Sequence, residues 1–235
     1  MNVALFGGTF DPVHRGHLAL ARAAQERFGL AQVHFIPANV PPHKQGQRRT
    51  GFVHRYAMVV LATLEEKRFI PSLLEAPSVF SVDSTKAHKI SRPAPSYTIE
   101  TVRRFKRSLK KGDRLFFLIG IDAFLDIGKW HESEALLRKC EFVVASRPGF
   151  SMKDIAGALP PALRRSVRLS RTTGDKARLE ADGAVIHLLP GVYQPMSSTA
   201  IRKAAAQGRS VTRWVPPPVA HYIKKMHLYK PYREE

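Results

Sequence analysis

At 235 residues, 44% hydrophobic and 24% charged, the chain can bury a full core, and its composition excludes a disordered or fibrous protein. No stretch is apolar for the roughly 18 residues a membrane helix needs, and the single cysteine, Cys140, excludes an internal disulfide and a multi-cysteine zinc site. The formal charge of +19 admits nucleic acid, phosphorylated small molecules or simply a basic surface as its reason, and does not select among them.

In chain order, Val3-Ala4-Leu5-Phe6 reads as a buried strand, and Leu18 to Phe28 as an alanine-rich helix that Gly29 can end. Because Met1-Asn2 runs straight into that strand with no basic-apolar leader, the expected compartment is the cytoplasm. Val33 to Ile36 closes a second strand, and Pro37, Pro41 and Pro42 enforce an irregular, polar connection. A helix follows from Phe52 to Glu66 with Met58, Leu61 and Ala62 inward, then a strand at Ser78–Val82. Ser96 or Thr98 can cap the next helix, where Ile99, Val102, Phe105 and Leu109 recur at helical spacing. Leu115–Ile119 is expected as a central strand, Ser133–Lys139 as a helix and Glu141–Ala145 as a strand, with Cys140 buried beside it. Residues 150–184 carry little signal, and Arg171 to Lys176 is expected as a loop. Val185–Leu189 resumes strand character, Ser197 to Arg202 opens a short helix ended by Gly208, and a last helix spans Pro218 to Leu228. The alternation predicts an α/β fold with a Rossmann-like, doubly wound parallel sheet. A single domain over 1–235 is expected, with 191–235 as a small C-terminal helical part carrying a phosphate-binding turn.

The run Gly7-Gly8-Thr9-Phe10-Asp11-Pro12-Val13-His14-Arg15-Gly16-His17 joins the first strand to the first helix. Glycine at 7 and 8 admits positive φ and exposes backbone N–H groups. If Gly16-His17 opens the helix, unpaired amides and the dipole favour phosphate there. His14 and His17 then share a first turn and can donate to a transferring phosphoryl group; two structural loop histidines are the alternative. Asp11 is a turn former, a brace for the histidine loop or a neighbour of a metal. Lys44 offers a cation to a polyphosphate, against a plain surface lysine. Ser197, Ser198 and Thr199 with Arg202 form a second phosphate cradle, against an ordinary N-cap followed by a surface arginine. Asp122 stands where the crevice of an open sheet receives ligands and can accept from a ribose hydroxyl, unless it only caps a helix. Tyr97 and Trp130 offer flat faces to a base or pyridine ring, or pack in the core. The basic stretch at 103–107 reads as the solvated face of a helix. No H-E-x-x-H, Walker A, G-x-S-x-G or G-x-G-x-x-G run occurs, so hydride transfer, serine hydrolysis and P-loop chemistry lose support.

With these motifs in order, the chain resembles the bacterial nicotinate mononucleotide adenylyltransferase family of the nucleotidyltransferase superfamily. The resemblance rests on Gly7 to Leu18, Pro41-Pro42-His43-Lys44, Arg55 through Met58, and Pro95-Ser96-Tyr97-Thr98 with Thr101. It continues through Phe117-Leu118-Ile119-Gly120 with Asp122 and Trp130, Phe142-Val143-Val144 before Arg147-Pro148-Gly149, and Ser197-Ser198-Thr199 with Ile201-Arg202. It implies transfer of the adenylyl group of ATP to nicotinate mononucleotide, with Mg²⁺ bridging the polyphosphate. It also implies that His14, His17, Lys44 and Arg202 act on the phosphates, with Gly7, Gly8, Thr9, Phe10, Gly120, Asp122, Ser197, Ser198 and Thr199 in substrate binding. Tyr97, Thr98 and Trp130 would receive the pyridine mononucleotide. No residue is assigned as a metal ligand, and a homo-oligomer is left open. One departure is Lys86 to Arg92, basic where many relatives are acidic. The competing readings are an adenylyltransferase preferring nicotinamide mononucleotide or another phosphate acceptor, and, remotely, a basic nucleic-acid-binding module.

Overall fold

Strand β1 (Asn2–Gly8) leads through the glycine–histidine loop into helix α1 (Arg15–Phe28), and Gly29, at φ +58, turns the chain into β2 (Leu30–Pro37). The structure is a computed structural model that describes residues 1–40, 49–77, 95–172, 176–192 and 196–230. After β2 come α2 (Phe52–Thr63), β3 (Phe69–Pro71), α3 (Thr98–Lys106), β4 (Arg114–Gly120), α4 (Ile121–Phe124) and a 3-10 turn at Ile127–Lys129. The chain continues with α5 (Ser133–Lys139), β5 (Glu141–Ala145), α6 (Met152–Ala158), α7 (Pro161–Arg164), β6 (Arg168–Thr172) and β7 (Lys176–Ala181). It ends with β8 (Ala184–Leu189), α8 (Ser198–Ala206) and α9 (Pro217–Lys225).

The strand order is β3-β2-β1-β4-β5-β8-β7-β6. β1–β4, β4–β5 and β5–β8 pair in parallel, whereas β8–β7 and β7–β6 are antiparallel. Central strands of a parallel sheet are covered on both faces, so they read as continuous apolar runs. Val3 to Phe6, Leu115 to Ile119 and Phe142 to Val144 are accordingly buried throughout. Order reverses between β1 and β4, whose carboxyl ends mark the usual ligand crevice of such a sheet.

By packing, the chain divides into two compact units. One comprises Met1–Gly7, Leu18–His34 and Tyr97–Gln194, and its interior includes Phe117 and Phe124 against Phe142, with ring centroids 5.4 and 5.9 Å apart. Cys140 is buried here as expected, and burial pushes its thiol up to about 12. The other comprises Gly8–His17, Phe35–Ser96 and Pro195–Glu235. In it Phe35 packs between Phe10 and Phe69, and α2 packs on α9, where His54 Nδ1 lies 2.9 Å from the Tyr222 hydroxyl. No helix among the described residues is long and apolar enough to cross a membrane.

Several sequence expectations change. The loop expected at Arg171 to Lys176 instead ends β6 and begins β7, with 173–175 outside the described residues. β6 is the sheet's last strand; Arg168, Leu169 and Ser170 are all exposed, so no burial pattern marks it. α3 stops at Lys106 rather than reaching Leu109, and its N-cap position is Tyr97, with no side-chain cap. Ser96 is diverted because its hydroxyl accepts from Val40 N–H at 3.3 Å, and Thr98 already lies inside the first turn. α2 ends at Thr63 and leaves Leu61 half-buried, and α9 ends at Lys225. The expected strand at Ser78–Val82 and the basic Lys86 to Arg92 stretch lie outside the described residues.

Candidate active site

Gly7 and Gly8 close β1, and neither takes a positive φ. What demands glycine is space: a Cβ on Gly7 would lie 3.2 Å from the Phe117 ring, and one on Gly8 would lie 3.0 Å from the Phe10 ring. The left-handed conformation expected of the glycines falls instead on Phe10, at φ +48. Burial of its ring, packed on Phe35 and edge-on to His17 at 5.1 Å, offsets the cost of that backbone. Thr9 precedes it half-buried, and its carbonyl accepts from the Arg55 guanidinium at 2.8 Å.

The two imidazoles stack, with centroids 3.7 Å apart and planes 25° from parallel. His14 N–H donates to His17 Nδ1 at 3.1 Å, so in the neutral ring the proton of His17 sits on Nε2. His14 Nδ1 is buried with no hydrogen-bond partner among the described residues. Burial lowers the His14 pKa from 6.5 to about 4; burial, and then the charge of His14, holds His17 well below its ordinary value. His17 keeps some exposed surface, but its ring is hemmed in by protein atoms on the stacked and Phe10 sides. Both rings are therefore neutral near pH 7, and each carries one N–H rather than a positive charge.

The first turn of α1 corrects a second expectation. Its amides are already engaged: Arg15 N–H donates to Trp214 O at 2.8 Å, Gly16 N–H to Met196 Sδ at 3.3 Å and His17 N–H to His14 O at 2.9 Å. Chain from far along the sequence occupies the place where phosphate was expected to meet backbone.

That same late chain delivers α8. Ser197 is its N-cap, accepting from Ala200 N–H at 3.2 Å. The Ser198 hydroxyl donates to Pro12 O at 3.0 Å. Arg202 donates to Asp11 O at 2.8 Å and to Thr199 Oγ1 at 3.1 Å. Ser198 and Arg202 thus make the junction between α8 and the histidine loop, Thr199 steadies the half-buried Arg202, and Ser197 caps the helix. The amides of Ser198 and Thr199 have no partner within the helix, as in any first turn.

A buried polar lattice supports the loop. Arg55, 2% exposed, donates to Thr9 O, Ala38 O and Thr50 O at 2.8, 2.8 and 2.9 Å. The Asp11 carboxylate accepts from Thr50 N–H at 3.2 Å and from the Tyr229 hydroxyl at 2.8 Å. Both flanks of residues 41–48 are therefore tied to the histidine loop; Lys44 and His43 themselves lie outside the described residues. Asp11 is a brace, the second of its three expected roles. The sequence marked Arg55 only as part of a family motif and marked Tyr229 not at all.

In the other unit, Tyr97 sits at the N-cap position of α3 with its ring 4.3 Å from that of His131, and Thr98 is the first helical residue. Trp130, half-buried, ends the 3-10 turn, and its carbonyl accepts from Ser133 N–H at 3.2 Å. Gly120 ends β4, and a Cβ there would meet nothing within 4 Å. Asp122 is exposed and paired with Arg147 at 2.6 Å; it lies inside the first turn of α4 and is not its cap. Arg147, which the sequence marked only within a motif, lines a cleft of about 400 Å³ with Ser146, Phe150 and Gly191. No group of three or more His, Cys, Asp or Glu side chains among the described residues is placed to hold a metal.

The Cytidylyltransferase-like family matches residues 5–204. A probable nicotinate-nucleotide adenylyltransferase of Geobacter metallireducens is 38% identical over 229 residues, covering 97% of this chain and 98% of the relative. Another, from Thermoanaerobacter sp. (strain X514), is 35% identical over 230 residues, covering 98% and 95%. The chain belongs to the nicotinate-nucleotide adenylyltransferase family. The fold agrees with solved members. The Plasmodium falciparum nicotinic acid mononucleotide adenylyltransferase complexed with NaAD superimposes with a TM-score of 0.67 at 18% identity, with 97% of each chain covered. A putative nicotinate-nucleotide adenylyltransferase from Vibrio parahaemolyticus gives 0.57 at 14% identity, covering 98% of this chain and 96% of that one.

Proposed function

We propose that the protein transfers the adenylyl group of ATP to nicotinate mononucleotide, giving nicotinate adenine dinucleotide and pyrophosphate. The observation that carries this is one junction: Ser198 and Arg202 of α8 are hydrogen-bonded to the carbonyls of Pro12 and Asp11, beside the stacked His14–His17 pair. Neutral imidazole N–H groups, a guanidinium and a helix N-terminus then face one phosphate chain.

A phosphate oxygen of the mononucleotide attacks the α-phosphorus of ATP; a new O–P bond forms, and the bond to the β-phosphate oxygen breaks to release pyrophosphate. The attacking oxygen is already anionic, so no protein nucleophile is required. His14 and His17 donate to the transferring group, and Arg202 and Lys44 balance charge on the departing pyrophosphate. Mg²⁺ carried by ATP would supply neutralisation of polyphosphate charge. The Asp11 carboxylate accepts from Thr50 and Tyr229, and no metal ligand is assigned to the protein.

Gly7, Gly8, Thr9 and Phe10, with Ser197, Ser198 and Thr199, shape the ATP phosphate site, and Gly120 and Asp122 serve the ribose. Tyr97, Thr98 and Trp130 receive the pyridine mononucleotide. Residues 1–235 work as one nucleotidyltransferase domain in the cytoplasm, with 191–235 supplying the late phosphate-binding turn. The test is pyrophosphate release by the purified protein from Mg²⁺–ATP, with nicotinate and nicotinamide mononucleotides in parallel. Faster turnover of the nicotinate form is expected. Silence with both acceptors, coupled with salt-dependent RNA or DNA binding, would replace this reading with the nucleic-acid one.

A further inference from the structure

We infer that Tyr229 is a positioning residue for adenylyl transfer, its hydroxyl fixing Asp11 and, through the Asp11 backbone carbonyl, the Arg202 guanidinium. This rests on the function proposed above. Tyr229 follows α9, in a backbone turn at φ +70, and its hydroxyl donates to Asp11 Oδ1 at 2.8 Å. The other carboxylate oxygen takes the Thr50 N–H, and the carbonyl of the same residue takes Arg202 at 2.8 Å. Asp11 therefore joins three distant parts of the chain, and only Tyr229 among these partners contributes a side-chain hydroxyl to the carboxylate. Burial, together with the Asp11 carboxylate, raises the phenol pKa far above neutrality, so the hydroxyl stays a donor at every working pH. Without that donor the carboxylate loses one of its two anchors, and the loop that aims Arg202 can turn.

The experiment compares the parent with Tyr229→Phe, which removes one oxygen and keeps the ring. Steady-state rates are read with ATP varied and with nicotinate mononucleotide varied. The expected result is a loss of about tenfold in kcat/KM for ATP with KM for the mononucleotide unchanged, the size expected for one buried bond to a charged group. In an Arg202→Ala background the same change costs less than about twofold, because its route to the substrate is gone. A melting temperature lowered with kinetics at parental values would overturn the inference, as would an equal loss in both backgrounds. A parent that releases no pyrophosphate sinks the reaction itself, and the role of Tyr229 falls with it. A working parent with an indifferent Tyr229→Phe sinks only the role of Tyr229.

Discussion

In the proposed reaction His14 and His17 serve an anionic substrate without being charged. Their stack and burial make two adjacent imidazolium ions costly, so each ring offers an N–H while neutral. Removing one donor aimed at developing charge costs roughly 3–4 kcal/mol in comparable sites. His17→Ala is therefore expected to lower kcat by two to three orders of magnitude while the melting temperature moves only a few degrees, read by pyrophosphate release and thermal denaturation. His14 also links stability to pH. Its folded pKa of about 4 lies below the ordinary 6.5, so the unfolded chain takes the proton first. Stability from the neutral ring is complete above about pH 6.5 and drains away as pH falls toward 4, by about 2 kcal/mol on reaching pH 5. Urea unfolding near pH 7 and near pH 5 should show a larger loss in the parent than in His14→Asn, where only the buried His17 still contributes. The presence of these residues was legible from their spacing after a strand. The occupation of the Arg15 and Gly16 amides was not, because their partners Trp214 and Met196 lie some 180 residues or more away in sequence and no local pattern encodes them.

Among the elements, those that repeat an apolar period were legible and those that do not were missed. α5 and β5 begin and end where the pattern places them, at Ser133–Lys139 and Glu141–Ala145. β7 had a usable signal: Asp182-Gly183 forms a two-residue turn at φ +41 and +80, with Ala181 opposite Ala184. Asp-Gly is the preferred pair for such a turn because both positions need positive φ. Gly183→Ala is expected to destabilise the protein by about 1–2 kcal/mol through backbone strain alone, since the nearest atom to the new Cβ would be 3.9 Å away. Chemical denaturation measures it, and a neutral result would mean that the hairpin turn relaxes freely. β6 offered no such signal, being an exposed edge strand whose neighbour, not its own periodicity, defines it.

For the molecule as a whole, the charge of +19 is a long-range attraction for polyphosphates that salt screens. The screening length shrinks from about 10 Å at 0.1 M to about 3 Å at 1 M. Raising sodium chloride from about 50 to about 500 mM should therefore raise KM for ATP several-fold and leave kcat within about twofold, because short bonds inside the site are screened far less. A kcat that falls in step with affinity would show that salt disturbs the site itself. The amino-acid sequence alone determined the α/β alternation, the apolar central strands, the glycine–histidine loop and the basic balance, all properties of neighbouring residues or of bulk composition. Only the tertiary structure decided that Gly7 and Gly8 serve close packing, that burial keeps the histidines neutral near pH 7, and that the Asp11 carboxylate is bonded to Thr50 and Tyr229. It alone brought α8 and Tyr229 to the loop at Asp11, because hydrogen bonds across some 190 to 218 residues arise from how the chain packs and leave no periodic trace along it.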